Sequence, residues 1–239
     1  IDSDFYNNKE FKKGKSSLKP IEINSLGNVK DKTVLHLQCH FGQDSISLAR
    51  MGAKVTAIDF SSVAISEAKK ISKELNTHVS FLERDVLELD LNKKFDIVFS
   101  SYGVIGWLPN LDEWGATIAN HLKKQGVFLL TEFHPFFELI KGKDQNYFYD
   151  KRPDIELEQG TYTDGGEGLK TTTCWWNHSL TDIFVALESN GLKLISFEEF
   201  DYSPFLLEGM IKKKKNKYVL KERANQRIPY VFNLKATRK

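Results

Sequence analysis

Residues 36–44, HLQCHFGQD, concentrate side chains that could do chemistry. Two imidazoles, a thiol, two amides and a carboxylate lie within nine residues, around a single glycine, Gly42. The segment follows the strand-like run TVL and precedes the helix-like run SISLARMG, where an α/β protein that binds a nucleotide usually has a glycine-rich turn. Three interpretations are open: a cofactor loop with altered residues, a metal site, or a plain turn.

The metal interpretation rests on His36, Cys39 and His40, which are metal-binding residue types. Their spacing over a strand end and a turn aims the side chains in different directions, and the sequence offers no evident fourth ligand nearby. The sequence therefore predicts no metal at this loop. His36 is expected instead to be a hydrogen-bonded residue at the end of its strand.

A second group of capable side chains follows later strand-like runs. Glu132 and His134 end the run GVFLLTEFH, and His178 lies in CWWNHS, before a helix-like stretch. Because an imidazole titrates near neutrality, His134 is the first candidate for a general base and His178 the second. The alternative role for His178 is to cap or orient the helix that starts near Ser179. Glu132 is a candidate for binding a cationic substrate.

The order of the elements should position these groups. Strand-like runs (TVLHL, KVTAIDF, HVSFLERD, KFDIVFSSY, GVFLLTEFH) alternate with helix-like stretches, which predicts a doubly wound, mostly parallel sheet. The last two runs, LKLISFEEF and IPYVFNLKA, have no helix between them and predict an antiparallel pair at one edge. Ligands of such sheets bind at the carboxyl ends of strands, so the candidate groups should converge there.

The length of 239 residues suits a single α/β domain, residues 1–239. Residues 140–176 interrupt the alternation. This segment is long, rich in Tyr, Asp and Gly, and follows the fifth strand, so it is expected to form a lid-like insertion. The chain starts with Ile1 rather than Met, which indicates that the natural chain begins further upstream.

Composition narrows the classes of function. The net charge of +2 gives no global field that would favour nucleic acid or a membrane, and the basic run at 212–217 predicts a solvated loop. No apolar stretch approaches the length of a membrane span, and the N-terminus lacks a signal-peptide pattern. Two cysteines, Cys39 and Cys174, provide no disulfide framework, so a cytoplasmic location is expected.

From about Thr33 to the C-terminus the chain resembles the class I S-adenosylmethionine-dependent methyltransferases, most specifically over residues 33–134. That family usually has an acidic residue followed by spaced glycines at the first strand and loop. The matching positions here are His36, Gln38, His40 and Gly42, so three of the four depart from the pattern. The LQCHFGQD segment resembles a bacterial subgroup of the superfamily. Since S-adenosylmethionine has no phosphate that needs the backbone very near, the loop can tolerate side chains.

The resemblance implies a Rossmann-like sheet of seven strands with an antiparallel last strand, S-adenosylmethionine as cofactor and S-adenosylhomocysteine as product. Asp59 ends the second strand about 20 residues beyond the loop, the spacing at which a carboxylate reaches both ribose hydroxyls. Its alternative role is a favourable charge near the start of the next helix. The family's adenine-binding pair corresponds to Asp85 and Val86, and Ser101 and Tyr102 border the methionine half. The implied cofactor-binding residues are Gln38, Cys39, His40, Gly42, Asp44, Asp59, Phe60, Ser61, Asp85, Val86, Ser101 and Tyr102.

The acceptor side is predicted to be aromatic. Trp107 follows the fourth strand, Trp176 closes the insertion, and Tyr6 belongs to an N-terminal segment, residues 1–30, that the resemblance implies as a cover over the cofactor. Each aromatic residue taken singly is more often a packing residue. As a group they indicate an enclosed pocket for a small, partly apolar molecule.

The sequence therefore predicts a methyltransferase that acts on a small molecule, as a monomer or homodimer, without nucleic acid or membrane partners. Two rival hypotheses remain. An RNA or protein methyltransferase would use the basic run at 212–217 as its electrostatic footprint, although the near-zero net charge argues against it. The altered loop also motivates a protein that binds S-adenosylmethionine without transferring its methyl group.

Overall fold

The computed structural model describes residues 8–140, 146–159 and 170–238. The strands are β1 (Thr33–His36), β2 (Lys54–Asp59), β3 (Val79–Glu83), β4 (Phe95–Ser101), β5 (Leu122–Phe133), β6 (Asp154–Gln159), β7 (Lys170–Trp175), β8 (Leu192–Phe200), β9 (Met210–Lys214), β10 (Lys217–Leu220) and β11 (Val231–Arg238). The helices are α1 (Asn8–Lys12), α2 (Pro20–Leu26), α3 (Gln43–Arg50), α4 (Ser62–Glu74), α5 (Leu111–His121), α6 (Pro135–Ile140) and α7 (Leu180–Ser189).

Seven strands form the main sheet in the order β3-β2-β1-β4-β5-β11-β8. Strands β1 to β5 pair in parallel, whereas β11 runs antiparallel to both β5 and β8. The predicted fold class is confirmed: the sheet is Rossmann-like and mostly parallel, with its last strand reversed. Strand β8 lies at the edge, so β8 and β11 are the expected antiparallel pair.

The strand sequences place apolar residues on both faces of the sheet, as parallel strands covered by helices require. Along β1, Leu35 packs in the core that contains α5 and α7, whereas Val34 packs in the core that contains α3 and α4. Helix starts carry local signals, since the Ser61 hydroxyl accepts from the backbone N–H of Ala64 at the start of α4. The resulting three-layer arrangement leaves the carboxyl ends of β1 to β5 pointing to one rim.

Two short hairpins lie outside the main sheet. Strands β6 and β7 form an antiparallel pair within the predicted insertion, whose lid role remains a prediction. Strands β9 and β10 form the second pair and contain most of the basic run. The prediction of a loop at 212–217 was therefore wrong, although Lys212, Lys213, Lys214 and Lys215 are exposed as a solvated run should be. No helix within the three described ranges is long and apolar enough to cross a membrane.

Candidate active site

A cavity of about 750 Å³ opens at the carboxyl ends of β1, β2 and β4. Its size falls within the ~300–1,000 Å³ usual for small-molecule sites. All of the residues implied for cofactor binding line it: Gln38, Cys39, His40, Gly42, Asp44, Asp59, Phe60, Ser61, Asp85, Val86, Ser101 and Tyr102. The structure thus brings together residues from the loop after β1, from the ends of β2 and β4, and from the turn after β3.

The backbone of the loop explains the usual glycine pattern. Gln38, His40 and Gly42, the three positions where glycine is usual, have φ values of 51°, 50° and 72°. This left-handed region suits glycine and costs other residues about 1–2 kcal/mol each. Gln38 and His40 nevertheless hold it, since the Gln38 side chain donates to the Val104 carbonyl at 3.0 Å and the His40 backbone N–H donates to Asp59 Oδ2 at 2.8 Å. The loop keeps its left-handed turns with side-chain support in place of two glycines.

Asp59 links the loop to helix α4. Its Oδ2 accepts from the backbone of His40 at 2.8 Å and its Oδ1 from the backbone of Ser61 at 3.0 Å. Each carboxylate oxygen has two acceptor positions, so each keeps one for a ligand in the cavity. Asp59 therefore orders the local backbone and still offers the pair of acceptors that a ribose diol requires.

His36 stands where the family has an acidic residue, and it is almost fully buried. Its Nδ1 lies 2.7 Å from Ser45 Oγ, so it is the hydrogen-bonded strand-end residue expected from the sequence. Burial lowers the pKa of His36 to about 4, which leaves the ring neutral at neutral pH. Within the described ranges, no group of three or more His, Cys, Asp or Glu side chains is arranged to hold a metal.

The opposite end of the cavity contains Phe60, Asp85 and Val86. The Phe60 side chain is 71% exposed, which is unusual for a large aromatic residue and leaves its ring free to stack on a planar ligand. Asp85 Oδ1 accepts from the backbone N–H of Leu87 at 2.9 Å, and the Val86 carbonyl accepts from Thr117 Oγ1 at 2.8 Å. These contacts fix the turn after β3, which suits a fixed adenine site.

Ser17, Lys19, Glu22 and Phe205 are among the cavity residues that the sequence did not predict. Glu22 on α2 is 1% exposed, and its Oε2 accepts from the backbone of Lys19 at 3.1 Å. Burial, followed by the nearby Asp44 carboxylate, raises the pKa of Glu22 to about 8. Pro20 followed by Glu22 is a helix-start signal, which explains the residue locally and gave no reason to place it in a cavity.

An aromatic wall, formed by Tyr102, Phe133 and Phe205, lines the same part of the cavity. The rings of Tyr102 and Phe205 are perpendicular with centroids 4.8 Å apart, and Tyr102 and Phe133 are 5.4 Å apart. Lys19 Nζ lies 4.5 Å from the Phe205 centroid, within range of a cation–π interaction. Trp107, predicted to contact the substrate, also lines the cavity, whereas Tyr6 lies outside the described residues.

Glu132 has a different position from the one its predicted role requires. It is buried, does not line the large cavity, and accepts backbone N–H groups from Gly103 (2.5 Å), Val104 (2.8 Å), Ile105 (3.3 Å) and Phe133 (2.7 Å). Such a carboxylate is saturated with donors and has no acceptor aimed at a ligand. The geometry favours a structural role for Glu132, which fixes the loop after β4.

His178 and Trp176 join the insertion to that same loop. The ring of His178 donates from Nε2 to the Leu108 carbonyl at 2.7 Å and stacks on Tyr149 with centroids 5.0 Å apart. The backbone N–H of Trp176 donates to the Gly106 carbonyl at 2.8 Å. Both residues line a separate small pocket of about 50 Å³ rather than the large cavity. Their geometry favours positioning the loop over contact with a substrate in the large cavity.

His134, the first candidate for a base, is buried away from the cavity lining. Its Nδ1 accepts from the backbone of Phe136 at 3.1 Å, so the proton of the neutral ring lies on Nε2, 2.9 Å from Glu199 Oε1. Burial lowers the pKa of His134, and Glu199 opposes that effect. The ring therefore connects the end of β5 to β8.

We expect His134→Gln to leave the pH profile of turnover unchanged, because the ring faces Glu199 and not the cavity. The variant should lower the free energy of unfolding by about 1–3 kcal/mol, since the buried hydrogen bonds are replaced imperfectly. Turnover rates measured from pH 6 to 9 would check the pH profile, and urea unfolding would check the free energy of unfolding. If the variant lost the acidic limb of the wild-type pH profile, His134 would be restored as the base.

Comparisons with known proteins agree with this architecture. Residues 34–126 match the family model described as a methyltransferase domain. The fold is similar to an S-adenosylmethionine-dependent methyltransferase from Clostridium acetobutylicum (TM-score 0.64, 16% identity, 99% of this chain and 93% of that one). It is also similar to a glycopeptide N-methyltransferase complexed with S-adenosylmethionine (TM-score 0.60, 16% identity, 92% of each chain).

Sequence relatives match over a shorter range. A ubiquinone biosynthesis O-methyltransferase of Rickettsia akari is 29% identical over 98 residues, 41% of this chain and 39% of that protein. The cypemycin N-terminal methyltransferase of a Streptomyces species is 34% identical over 102 residues, 41% of each chain. The chain thus spans about two fifths of the length of these relatives. The sheet order, the loop and the matched domain define a class I methyltransferase fold. Residues 34–126 thus match a methyltransferase domain within a chain that has this fold.

Proposed function

We propose that this protein is an enzyme that transfers the methyl group of S-adenosylmethionine to a small-molecule acceptor and releases S-adenosylhomocysteine. The observation that carries the proposal is the single cavity in which every implied cofactor residue meets the aromatic wall. A methyl transfer requires the methyl donor and the acceptor to be bound side by side. A cavity with a cofactor-binding end and an apolar end can hold both.

The residues present fit this cofactor. Asp59 keeps one acceptor on each oxygen for the ribose hydroxyls, and Phe60, Asp85 and Val86 surround the place for the adenine. Ser101 and Tyr102 border the place for the methionine half. When bound, S-adenosylmethionine supplies an activated methyl group on a sulfonium.

The protein's own contribution is proposed to be alignment. Holding two reactants in near-attack geometry can contribute roughly 7–11 kcal/mol to the barrier. Tyr102, Phe133, Phe205 and Trp107 offer apolar and aromatic surface that would orient an acceptor and exclude water. Neither His134 nor His178, the two candidate bases, lines the cavity, so the proposal gives neither of them the role of base.

A peptide acceptor is the second candidate, because the cypemycin N-terminal methyltransferase and the glycopeptide N-methyltransferase are among the similar proteins. The two candidates differ in what must enter the cavity. A free small molecule can enter whole, whereas a peptide would present one group and leave the remaining chain outside.

The test is turnover. The protein would be incubated with S-adenosylmethionine and panels of phenols, amines, carboxylic acids and short peptides, and S-adenosylhomocysteine would be measured by mass spectrometry. We expect acceptor-dependent product with small molecules and at least a tenfold loss in Phe205→Ala, which truncates the aromatic wall. Leu206→Ala, which truncates the neighbouring exposed residue, is the matched control. Product with peptides alone would favour the second candidate, and cofactor binding without any acceptor-dependent product would contradict both.

A further inference from the structure

Two carboxylates from different elements line the cavity at the end that Ser101 and Tyr102 border. Glu22 comes from α2, and Asp44 from the first turn of α3. We propose that Glu22 and Asp44 together form a subsite for the cationic amino group of the cofactor's methionine half, and that ligand binding there displaces a proton from Glu22. This inference rests on the proposed function and deepens it.

The position of Asp44 places the subsite. One carboxylate oxygen of Asp44 accepts from Ser17 Oγ at 2.5 Å and the other from Ser101 Oγ at 3.2 Å. Asp44 is therefore fixed between the N-terminal segment and the end of β4. Asp44 also acts electrostatically on His36, the neutral ring that stands where the family has an acidic residue.

Glu22 is more than a helix-start residue. A carboxyl that only begins a helix is normally solvated, whereas Glu22 is 1% exposed and lies beside the Tyr102 hydroxyl and the Asp44 carboxylate. Burial of Glu22 beside the Asp44 carboxylate makes ionisation of Glu22 costly, so the ligand-free protein retains a proton on Glu22 at pH 7. A ligand cation relieves that repulsion and favours the doubly ionised pair.

The other charged and titratable groups around Glu22 do not replace this role. Lys19, whose ammonium lies over the Phe205 ring, lowers the pKa of Glu22 by its positive charge, but burial and the Asp44 carboxylate outweigh it. Burial lowers the pKa of Lys19 and raises that of Tyr102 well above its usual value, while His36, across Asp44, is already neutral. Glu132 acts on Tyr102 from β5 but is held by four backbone donors. Lys15, which also lines the cavity, acts on Lys19, and Glu22 is the last of the three charges that raise the pKa of Tyr202. Glu22 is the group whose proton a cation would displace near pH 7.

The experiment is calorimetric titration of S-adenosylhomocysteine at pH 7 in buffers with different enthalpies of ionisation. Wild type should release close to one proton per ligand bound, and its affinity should rise about tenfold from pH 6 to pH 7 and level off near pH 8. The sign follows from the empty state: Glu22 with a pKa of about 8 is protonated below that pH, and the ligand favours the ionised form.

Glu22→Gln should abolish the proton release and the pH dependence and weaken binding about 10- to 100-fold. Asp44→Asn should weaken binding and reduce the proton release, because it removes the neighbour that raises the pKa of Glu22. Glu10→Gln is the matched control: Glu10 lies in the same N-terminal segment, pairs with Lys13 at the surface and is absent from the cavity lining.

A second ligand separates the two possible failures. 5′-Methylthioadenosine retains the adenine and ribose but lacks the amino acid part, so its binding should be equal in wild type and Glu22→Gln and release no proton. If wild type binds S-adenosylhomocysteine without proton release, the inference is overturned and the proposed function stands. If wild type binds neither ligand, both are overturned. Should Glu22→Gln fail to fold, the comparison of wild type with Asp44→Asn tests the inference. Equal proton release in these two proteins would overturn it.

Discussion

Asp59→Asn is expected to weaken the binding of S-adenosylhomocysteine about 100-fold or more. The wild-type carboxylate offers one remaining acceptor on each oxygen, and hydrogen bonds to a charged group are worth about 1.5–3 kcal/mol each. The amide replaces one oxygen with a donor that faces a backbone N–H, so it also disturbs the loop at His40 or the start of α4. Calorimetric titration would measure the affinity. Thermal unfolding would measure how far the disturbed loop or helix start destabilises the fold.

Asp90→Asn is the matched control for this variant. Asp90 Oδ1 accepts from the backbone N–H two residues later, at Asn92, as Asp59 Oδ1 does at Ser61. Asp90 is absent from the cavity lining. Its replacement should therefore disturb the local backbone but leave the affinity for S-adenosylhomocysteine unchanged. Binding in Asp59→Asn within threefold of wild type would remove Asp59 from the ribose role.

Gly42→Ala is expected to lower the free energy of unfolding by about 3 kcal/mol or more and to abolish cofactor binding. Gly42 has φ 72°, which costs a residue with a Cβ about 1–2 kcal/mol. A Cβ there would lie 2.5 Å from the buried Phe81 ring and 3.0 Å from Ala68 Cβ, and such overpacking costs roughly 1–3 kcal/mol more. The loop would have to move away from α4 and β3, which displaces His40 from Asp59.

Gly191→Ala separates the two costs, because Gly191 has φ 75° but open space around its Cα. In urea unfolding, Gly191→Ala should lower the free energy of unfolding by about 1–2 kcal/mol. The additional loss in Gly42→Ala measures the cost of the contact with Phe81. A second variant, Gly42→Ala with Phe81→Leu, should recover part of that excess. Equal losses at the two glycines would show that the close approach to Phe81 carries no cost.

The sequence was sufficient to predict the sheet and to predict loop and strand-end residues that line one cavity, because their signals are local. Strand-like runs such as TVLHL and KVTAIDF have the alternation of parallel α/β proteins, and Asp59 follows the loop at a fixed distance. In a parallel sheet those strand ends meet at one rim, so a linear pattern predicts a three-dimensional group.

The rest of the site depends on choices that the linear pattern does not contain. His134 follows strand β5 at the expected rim, but the chain turns there so that its ring faces Glu199 on β8. Glu22 and Phe205 enter the cavity from segments far from any motif, and their place depends on how α2 and the turn after β8 pack. Periodicity in the sequence indicates where a strand lies. It does not indicate whether a residue that follows the strand faces the cavity or a neighbouring strand.

The position of β11 bears on how the chain matures. This strand is the last of the described strands to be synthesised, yet it lies between β5 and β8, inside the sheet. Until it emerges from the ribosome, β5 and β8 both present unpaired backbone edges, which are templates for association with other chains. Association with other chains through these two edges is therefore expected to be most favourable in the interval before β11 inserts.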